Sequence, residues 1–250
     1  AKEQLEELKD EGLISIFSLE SKCIVPVARM CRRGFNMDKH RLITLEKEIS
    51  AQYDAMTKEF IDMLEERLPV NSKLPKTDTG EIALGKRRGK EFNPSSNKQL
   101  LEAFALCDIE LPCSDKTNKP TLDQTKLAEF DSPDDLVVFY KKRAKVETEL
   151  EHVNKILNNI HPMTHRLHSG YNQVGANSGR FTSSGAPRVA KTKKKEQFSI
   201  NIQQVPRDKK FRACFIAQHG YKLIICDWSN IEARLIAQMV GVPEMLHAFN

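Results

Sequence analysis

Two long amphipathic segments most limit what this chain can fold into. After Asp38, apolar residues recur three or four positions apart, or seven where one turn is skipped: Leu42, Leu45, Ile49, Tyr53, Phe60, Leu64 and Leu68. This spacing predicts a helix of about eight turns, capped by Asp38 and stopped by Pro69. A second long helix is predicted after a cap at Ser132 and a first-turn Pro133, continuing through Leu136, Tyr140, Ala144, Leu150, Val153, Leu157 and Ile160. Two helices of similar length predict an antiparallel hairpin.

Shorter elements are predicted on both sides of this hairpin. Residues 1–16 resemble the end of a preceding element, with Gly12 as a break. Three further helices are predicted: Ser21–Arg32 closed by Gly34, Pro94 to about Leu106, and one capped by Thr121 that runs to Phe130.

The pattern changes after Pro162. Segments 166–174 and 180–184 are predicted as short strands or extended loops, and 221–226 as a buried strand that follows Gly220. Ser229 is predicted to cap the next helix, and Pro243 to begin another. The fold class is therefore predicted as α+β. A helical hairpin covers about 39–160, and a partial antiparallel sheet with helices covers 166–250.

Charge is concentrated in two segments. The chain carries a net charge of +5, yet 73–90 carries +4 and 188–212 carries +7, so the other 207 residues sum to −6. Two basic segments on a mildly acidic body indicate a local surface for a polyanion, although two solvated lysine-rich loops would give the same pattern. With 40% apolar residues the chain can fill a core, which excludes disorder throughout.

Other protein classes are excluded by simple patterns. No run of 18 or more uncharged apolar residues exists, so no transmembrane helix is predicted. The six cysteines form no CxxC pair, and no His/Cys set has zinc spacing. We expect buried free thiols in a reducing compartment.

A carboxylate stands where chemistry is expected. Asp227 follows the predicted strand and precedes the predicted helix, a place where a rigid edge projects a side chain into a cleft. Mg²⁺ takes one or two fixed carboxylates, a backbone carbonyl and substrate oxygens, so Asp227 is a candidate ligand and the Trp228 carbonyl could complete the set. Glu232 lies five residues further on. An ordinary turn residue and a surface helix acid are the alternatives.

Five segments in order give the chain a family resemblance. They are Arg33-Gly34-Phe35-Asn36-Met37-Asp38, Phe92-Asn93-Pro94-Ser95-Ser96-Asn97-Lys98-Gln99-Leu100, Gly179-Arg180-Phe181-Thr182-Ser183-Ser184, Asn201-Ile202-Gln203-Gln204-Val205-Pro206 and Asp227-Trp228-Ser229-Asn230-Ile231-Glu232-Ala233-Arg234. In this order they resemble family A DNA polymerases over residues 17–250. Trp228, Asn230 and Ala233 depart from the family pattern, in which Tyr, Gln and Leu occupy these positions. The resemblance implies DNA-templated DNA synthesis, the fold of a right-hand polymerase and a cytoplasmic protein of a bacterial or phage-infected cell. Residues 1–16 would end an exonuclease-like region, 17–165 would form the entry segment and thumb, and 166–250 part of the palm.

The resemblance implies catalytic and nucleotide-binding roles around Asp227. Asp227 would bind two Mg²⁺ ions with the carbonyl of Trp228, for phosphoryl transfer from a dNTP to a primer 3′-hydroxyl. Glu232 would be a second catalytic residue that rejects ribonucleotides, because a bulky acid against the sugar leaves no room for a 2′-hydroxyl. The segment formed by Ser229, Asn230, Ile231 and Glu232 would bind the nucleotide, and Arg234 would brace the site.

Contacts to primer–template DNA are implied for residues outside that segment. Arg180 would reach the minor groove at the primer terminus, where acceptors are nearly the same for every base pair. Gln203 and Gln204 would contact the duplex. Asn93, Ser96 and Lys98 belong to the thumb segment, for which helix capping with one phosphate contact is implied. A strand-edge arginine and loop amides remain the alternatives.

A lysine-rich insertion departs from the bacterial pattern. About sixteen residues separate Ser184 from Asn201, where the family has a short connection, and they include Lys191, Lys193, Lys194 and Lys195. We predict that this loop contacts the phosphate backbone. Lys86-Arg87-Arg88 invites the same hypothesis for the thumb.

The chain lacks family parts that a complete polymerase needs. Two-metal transfer requires a second carboxylate motif, and the triphosphate requires a fingers helix; neither is recognisable, and the chain does not start at Met. We therefore expect part of a longer polymerase that is inactive alone. A non-catalytic primer–template-binding scaffold and a relative of the single-subunit RNA polymerases are the alternatives, and Glu232 argues against the latter.

Overall fold

A computed structural model describes residues 2–69, 92–173, 175–184 and 200–249. The chain divides into two compact units, Ala1–Phe215 and Ile216–Asn250. In chain order the described elements are α1 (Lys2–Asp10), α2 (Ile14–Arg33), β1 (Phe35–Met37), α3 (Lys39–Arg67), α4 (Asn97–Leu106), α5 (Gln124–Glu129), α6 (Asp135–Asn159), β2 (Arg166–Leu167), β3 (Gly170–Asn172), β4 (Thr182–Ser184), a 3-10 turn (Ile202–Gln204), α7 (Lys209–Arg212), β5 (Phe215–Ile216), α8 (Ile231–Val240) and α9 (Pro243–Phe249).

The long helices α3 and α6 form the predicted hairpin. Asp38 caps α3, since its Oδ1 accepts a hydrogen bond from the Arg41 amide at 2.9 Å. The two helices run antiparallel: Arg67 at the end of α3 lies 2.8 Å (Nη1 to Oδ1) from Asp134 at the start of α6, and Leu42 shares a core cluster with Ile160. The α+β class is confirmed, because small antiparallel sheets accompany these helices.

The apolar stripes pack as the periodicity predicts. Every apolar position named for α3 is buried except Tyr53, which is half-buried. The buried residues form two clusters, one where the end of α3 meets α4, α5 and the start of α6, and one where the other ends of the long helices meet β1 and β2. On α6 the prediction is only partly right, since Ala144, Leu150 and Leu157 are half-buried while Val146, Ile156 and Arg143 are buried.

Several helix starts differ from the predictions. Asp134, not Ser132, caps α6, and its Oδ1 accepts from the Leu136 amide at 2.9 Å, so Pro133 lies outside the helix. Asp123, not Thr121, caps α5, because its carboxylate reaches two helical amides while the Thr121 hydroxyl accepts only from the Asp123 amide. At both helix starts the N-cap is an aspartate and not the nearby hydroxyl residue, because a charged acceptor complements the positive end of the helix dipole.

Near the N-terminus, α2 begins at Ile14, seven residues before the predicted start at Ser21, and continues through Pro26 to Arg33. Gly34 closes it, as predicted, in a left-handed conformation with φ of 58°. A Cβ here would lie 2.5 Å from the Leu167 carbonyl oxygen, so this position favours glycine for space as well as for backbone conformation.

The predicted short strands pair in two small sheets. One has the order β2-β1-β5, with Phe35 opposite Leu167. In the other, β3 and β4 pair antiparallel, with Tyr171 opposite Ser183 and Asn172 opposite Thr182. Arg180 lies two residues before β4 of this second sheet and is exposed.

The prediction of a buried strand over 221–226 is wrong. These residues form no strand and are exposed, with Ile225 91% exposed. A strand is held by hydrogen bonds to a neighbouring strand, and no described strand pairs with this segment. Within the second unit α8 contacts α9, and of the residues described in it Ala237 is buried.

The six cysteines are all free thiols, as predicted, but their predicted burial holds only for Cys214. Burial raises the pKa of the Cys214 thiol. The other five are half-buried or exposed. Across the described ranges, no helix has the length and apolar content that a membrane span requires.

Candidate functional site

Asp227 lies on an exposed, extended segment before α8. Its side chain and those of Trp228, Ser229 and Glu232 are exposed. Exposure leaves the carboxylate of Asp227 and the carbonyl of Trp228 accessible to a ligand, although the rigid strand that was predicted to hold them is absent from this stretch.

The start of α8 differs from the prediction as well. Asn230, not Ser229, is the cap residue, and it adopts a left-handed conformation with φ of 51° and no side-chain capping bond. Asparagine tolerates this conformation better than most residues. Ile231 and Glu232 occupy the first turn of the helix.

Arg234 ties this segment to the helix. Its Nε donates a hydrogen bond to the Ser229 carbonyl oxygen at 2.9 Å, and its amide donates to the Asn230 carbonyl oxygen at 2.9 Å. The guanidinium thereby fixes the backbone two residues after Asp227. This contact supports the bracing role predicted for Arg234.

The donor atoms around Asp227 suit a hard cation. A carboxylate and a backbone carbonyl are oxygen ligands of the type that Mg²⁺ takes, usually one or two carboxylates with water and substrate phosphate. In the part of the chain that the structure describes, no three His, Cys, Asp or Glu side chains gather as a metal cluster. The residues therefore fit a shared metal site and not a closed all-protein one.

Hydrogen bonds connect two of the sequence motifs in the first unit, the segment 179–184 and the segment 201–206. Gln203 lies on the 3-10 turn and bonds to β4: its Oε1 accepts from the Ser183 amide at 2.9 Å, and its Nε2 donates to the Phe181 carbonyl oxygen at 2.8 Å. Ser183 is buried and donates its hydroxyl to Asn201. Arg180 lies immediately before this anchored stretch and is exposed.

Gln204 lies on the same turn but lines a groove. The groove has a volume of about 370 Å³ and a largely apolar lining between α5, α6 and the turn. Lys145, Glu149 and His152 of α6 contribute its polar groups, and Pro206 lies beside Gln204. The side chains of the two predicted duplex-contacting glutamines thus have different surroundings.

The thumb segment is anchored by residues that the sequence analysis missed. Arg143 of α6 is fully buried, and its Nη1 donates to the Tyr53 hydroxyl at 2.9 Å while its Nη2 donates to the Pro94 carbonyl oxygen. Glu147 accepts from the Tyr53 hydroxyl at 3.1 Å and from Ser95. This polar network holds the turn that precedes α4.

The guanidinium of Arg143 also lies against aromatic rings. Its Cζ is 5.3 Å, 5.4 Å and 5.8 Å from the ring centroids of Tyr53, Phe60 and Tyr140. Rings at this distance stabilise a cation through their quadrupole. Burial raises the pKa of the Tyr140 phenol. The available signal in the sequence was a basic residue three positions after Tyr140 on an apolar face.

The predicted thumb contacts lie at the start of α4. Ser96 is the cap residue but makes no side-chain capping bond, and Lys98 is exposed in the first turn. Asn93 bonds to its neighbours in the chain. Its side-chain Oδ1 accepts from the Ser95 backbone N–H at 3.0 Å, and its own backbone N–H donates to Gln99 Oε1 at 2.6 Å. The predicted side-chain cap at Ser96 is therefore not formed, while Lys98 is accessible.

The predicted basic loops lie outside the described residues. Lys191, Lys193, Lys194 and Lys195 belong to 185–199, and Lys86-Arg87-Arg88 belong to 70–91. Of the remaining predicted residues, those around Asp227 belong to the second unit, and Arg180, Gln203, Gln204 and the thumb segment belong to the first.

Known proteins similar to this chain form one class. The family model described as DNA polymerase family A matches residues 72–250. DNA polymerase I of Rhizobium leguminosarum is 26% identical over 95% of this chain and 20% of its own length, and that of Pseudomonas aeruginosa is 27% identical over 90% and 22%. The POL domain of Pol1 from M. smegmatis, solved in complex with DNA primer–template and dNTP, matches 91% of this chain and 35% of that chain with a TM-score of 0.57 and 22% identity.

The matched motifs and the polymerase-domain fold define a polymerase-type chain. The family match covers more than half of the residues, and the chain belongs to DNA polymerase family A. It spans about a fifth of the length of the two curated relatives named above.

Proposed function

We propose that this chain is part of a longer enzyme that carries out DNA-templated DNA synthesis, adding a dNTP to the 3′-hydroxyl of a primer. Membership of DNA polymerase family A, with the Asp227–Arg234 motif preserved at its acidic positions, is the observation that carries the proposal. Primer–template DNA and dNTP are the partners that this reaction requires.

Asp227 and the Trp228 carbonyl are proposed to hold Mg²⁺. Both groups lie on an exposed segment, and their oxygens are the ligand type this ion prefers. Held by these two groups, Mg²⁺ would supply the positive charge that activates the primer hydroxyl and offsets the charge of the incoming triphosphate. The contribution of the chain is to hold this carboxylate in place, because Arg234 binds the backbone carbonyl of Ser229, two residues after Asp227.

Glu232 is proposed to exclude ribonucleotides. It lies in the first turn of α8, one turn after Ser229, where its exposed side chain can pack against a sugar. A carboxylate in that place clashes with a 2′-hydroxyl and leaves a deoxyribose unaffected. Ser229, Asn230 and Ile231 are proposed to line the same nucleotide position.

Arg180, Gln203 and Gln204 are proposed to serve the primer–template duplex from the first unit, Arg180 and Gln204 by contact and Gln203 through the backbone that it holds beside Arg180. Asn93, Ser96 and Lys98 are proposed to serve the same duplex from the thumb segment, where the accessible ammonium of Lys98 suits a phosphate. The lysine-rich loop is proposed to contact phosphates as well. Replacing Lys191, Lys193, Lys194 and Lys195 by alanine is expected to weaken duplex binding and to lower the slope of log affinity against log salt by about 0.9 for each lost contact. An unchanged slope would exclude the loop contact.

The test of the proposed function is primer extension by the complete protein that contains these residues. With a DNA template and Mg²⁺, we expect template-directed incorporation of dNTP and strong discrimination against NTP. Glu232→Ala is expected to raise NTP incorporation, and Glu244→Gln, an exposed acid of α9, is the control that should leave discrimination unchanged.

Each alternative predicts a different outcome of this assay. A non-catalytic scaffold would bind the primer–template without extending it, and an RNA polymerase relative would prefer NTP. The isolated 250 residues are expected to give no extension, because two-metal transfer needs a second carboxylate facing Asp227. Templated synthesis by the 250 residues alone would contradict that expectation.

A further inference from the structure

Two hydrogen bonds hold the carboxamide of Gln203 to the backbone of β4 and of Phe181, the residue before it. Its Oε1 accepts from the Ser183 amide at 2.9 Å, and its Nε2 donates to the Phe181 carbonyl oxygen at 2.8 Å. Since one group is a donor and the other an acceptor, this pair of contacts also fixes which way the carboxamide points. A side chain held at both ends is poorly placed to read a duplex directly.

This arrangement imitates strand pairing. In a β-strand, the carbonyl of one residue and the amide two residues later face the same edge, which is where Phe181 and Ser183 meet Gln203. The other edge of β4 faces β3, because Tyr171 lies opposite Ser183. The carboxamide therefore takes the place of a peptide group on the edge of β4 that no described strand occupies.

A second set of contacts locks the same junction. The backbone N–H of Gln203 donates to the Ser183 hydroxyl oxygen at 3.1 Å and to Asn201 Oδ1 at 3.1 Å. The Ser183 hydroxyl in turn donates to Asn201 Oδ1. Ser183 is only 6% exposed, so the two bonds that its hydroxyl makes are largely shielded from water. Hydrogen bonds in such places are costly to break because the freed groups cannot reach solvent.

We infer that Gln203 is a positioning residue for Arg180 and does not itself contact the duplex. It fixes the peptide that follows Phe181, the residue next to Arg180, and so limits the backbone positions that the exposed guanidinium can take. The inference rests on the proposed function, since it assigns Arg180 the duplex contact and Gln203 the task of holding it in place. Gln204, on the same turn, faces the groove instead of β4.

A double-mutant cycle in the complete protein tests this inference. The variants are Gln203→Leu, Arg180→Ala and the combination of both, with Gln204→Leu as the neighbouring glutamine change, and the measured quantity is the dissociation constant for a primer–template duplex. Residues coupled through one contact show non-additive effects, so we expect Gln203→Leu to weaken binding about 3- to 30-fold in the presence of Arg180 and less than about 2-fold in its absence. Equal losses in both backgrounds would show a direct duplex contact and overturn the inference.

Amide hydrogen exchange provides the second measurement, and it needs no DNA. Gln203→Leu is expected to speed exchange at the Ser183 amide, whereas Gln204→Leu leaves it unchanged. Gln203→Glu keeps an oxygen that can accept from this amide and is expected to restore slow exchange and part of the affinity. Unchanged exchange at Ser183 in Gln203→Leu would overturn the inference.

The two measurements separate failure of the inference from failure of the proposed function. If the unsubstituted protein did not bind the duplex at all, the proposed function would fall and the duplex role of Arg180 with it. The exchange measurement would still decide whether Gln203 holds β4.

Discussion

The two units of this chain use apolar residues in opposite ways. In Ala1–Phe215 the long helices bury their apolar faces against each other, and Leu42, Phe60 and Leu64 have no exposed surface. In Ile216–Asn250, Ile224, Ile225 and Met239 are each at least 85% exposed. Burial of apolar surface is the main source of stability. The first unit is therefore stabilised by its own packing, while the second carries the candidate residues around Asp227 on a segment whose side chains are exposed.

The largest expected difference between the units concerns two arginines. Arg143→Met in the 250-residue chain removes a buried cation, leaves the Pro94 carbonyl without this donor and takes the cationic partner from Glu147, which is expected to lower the free energy of unfolding by about 3–5 kcal/mol. Arg234→Met removes an exposed hydrogen bond to Ser229, for which about 0.5–1.5 kcal/mol is expected. Urea unfolding followed by circular dichroism measures both.

Lys142→Ala is the matched control for the change at position 143, since Lys142 is the exposed neighbour of Arg143 on α6. It is expected to change stability by less than about 0.5 kcal/mol. Equal losses for Arg143→Met and Arg234→Met would remove the difference between the units.

Two isoleucines give a smaller but cleaner contrast. Ile156 is 2% exposed in the helical hairpin, and Ile225 is 91% exposed before Asp227. Ile156→Ala is expected to cost about 2–5 kcal/mol because it leaves a cavity, and Ile225→Ala less than about 0.5 kcal/mol. A loss above about 2 kcal/mol for Ile225→Ala would show that this side chain is buried in solution.

Helix caps give the smallest contrast. Asp38 accepts from the Arg41 amide at 2.9 Å and caps α3, so Asp38→Ala is expected to cost about 0.5–2 kcal/mol. Ser229 does not cap α8, and Ser229→Ala is expected to be within about 0.5 kcal/mol of neutral. Thermal unfolding of the two variants tests the pair, and a larger loss at Ser229 than at Asp38 would restore the capping role predicted from the sequence.

What could be predicted from the sequence follows the same division. The hairpin was predictable because helical periodicity is local and its partner face lies within the first unit. The strand over 221–226 was predicted from composition, but a strand exists only where another strand pairs with it. A pattern of apolar residues gives no information on whether that partner is present.

The candidate site residues could be named from the sequence, but the contacts that hold them could not be predicted. The motifs named Asp227, Glu232, Arg180 and Gln203, yet they could not show that Gln203 bonds to a strand twenty residues away in the sequence. Arg143 was missed for a physical reason. A charged residue on an apolar face is ordinarily exposed. The burial of Arg143 depends on Tyr53, which is distant in the chain, together with Glu147, one turn further along α6.

The central claim is that the carboxylate of Asp227 serves metal-dependent nucleotide transfer. Asp227→Asn in the complete protein keeps the shape of the side chain and removes the charge that binds Mg²⁺. We expect primer extension to fall by about 10²- to 10⁴-fold, as losing several kcal/mol of charge stabilisation requires, while the dissociation constant for primer–template DNA changes little. Glu244→Gln, an equal loss of charge in the same unit, is expected to keep full activity. Extension by Asp227→Asn at the rate of the unsubstituted protein would contradict the account.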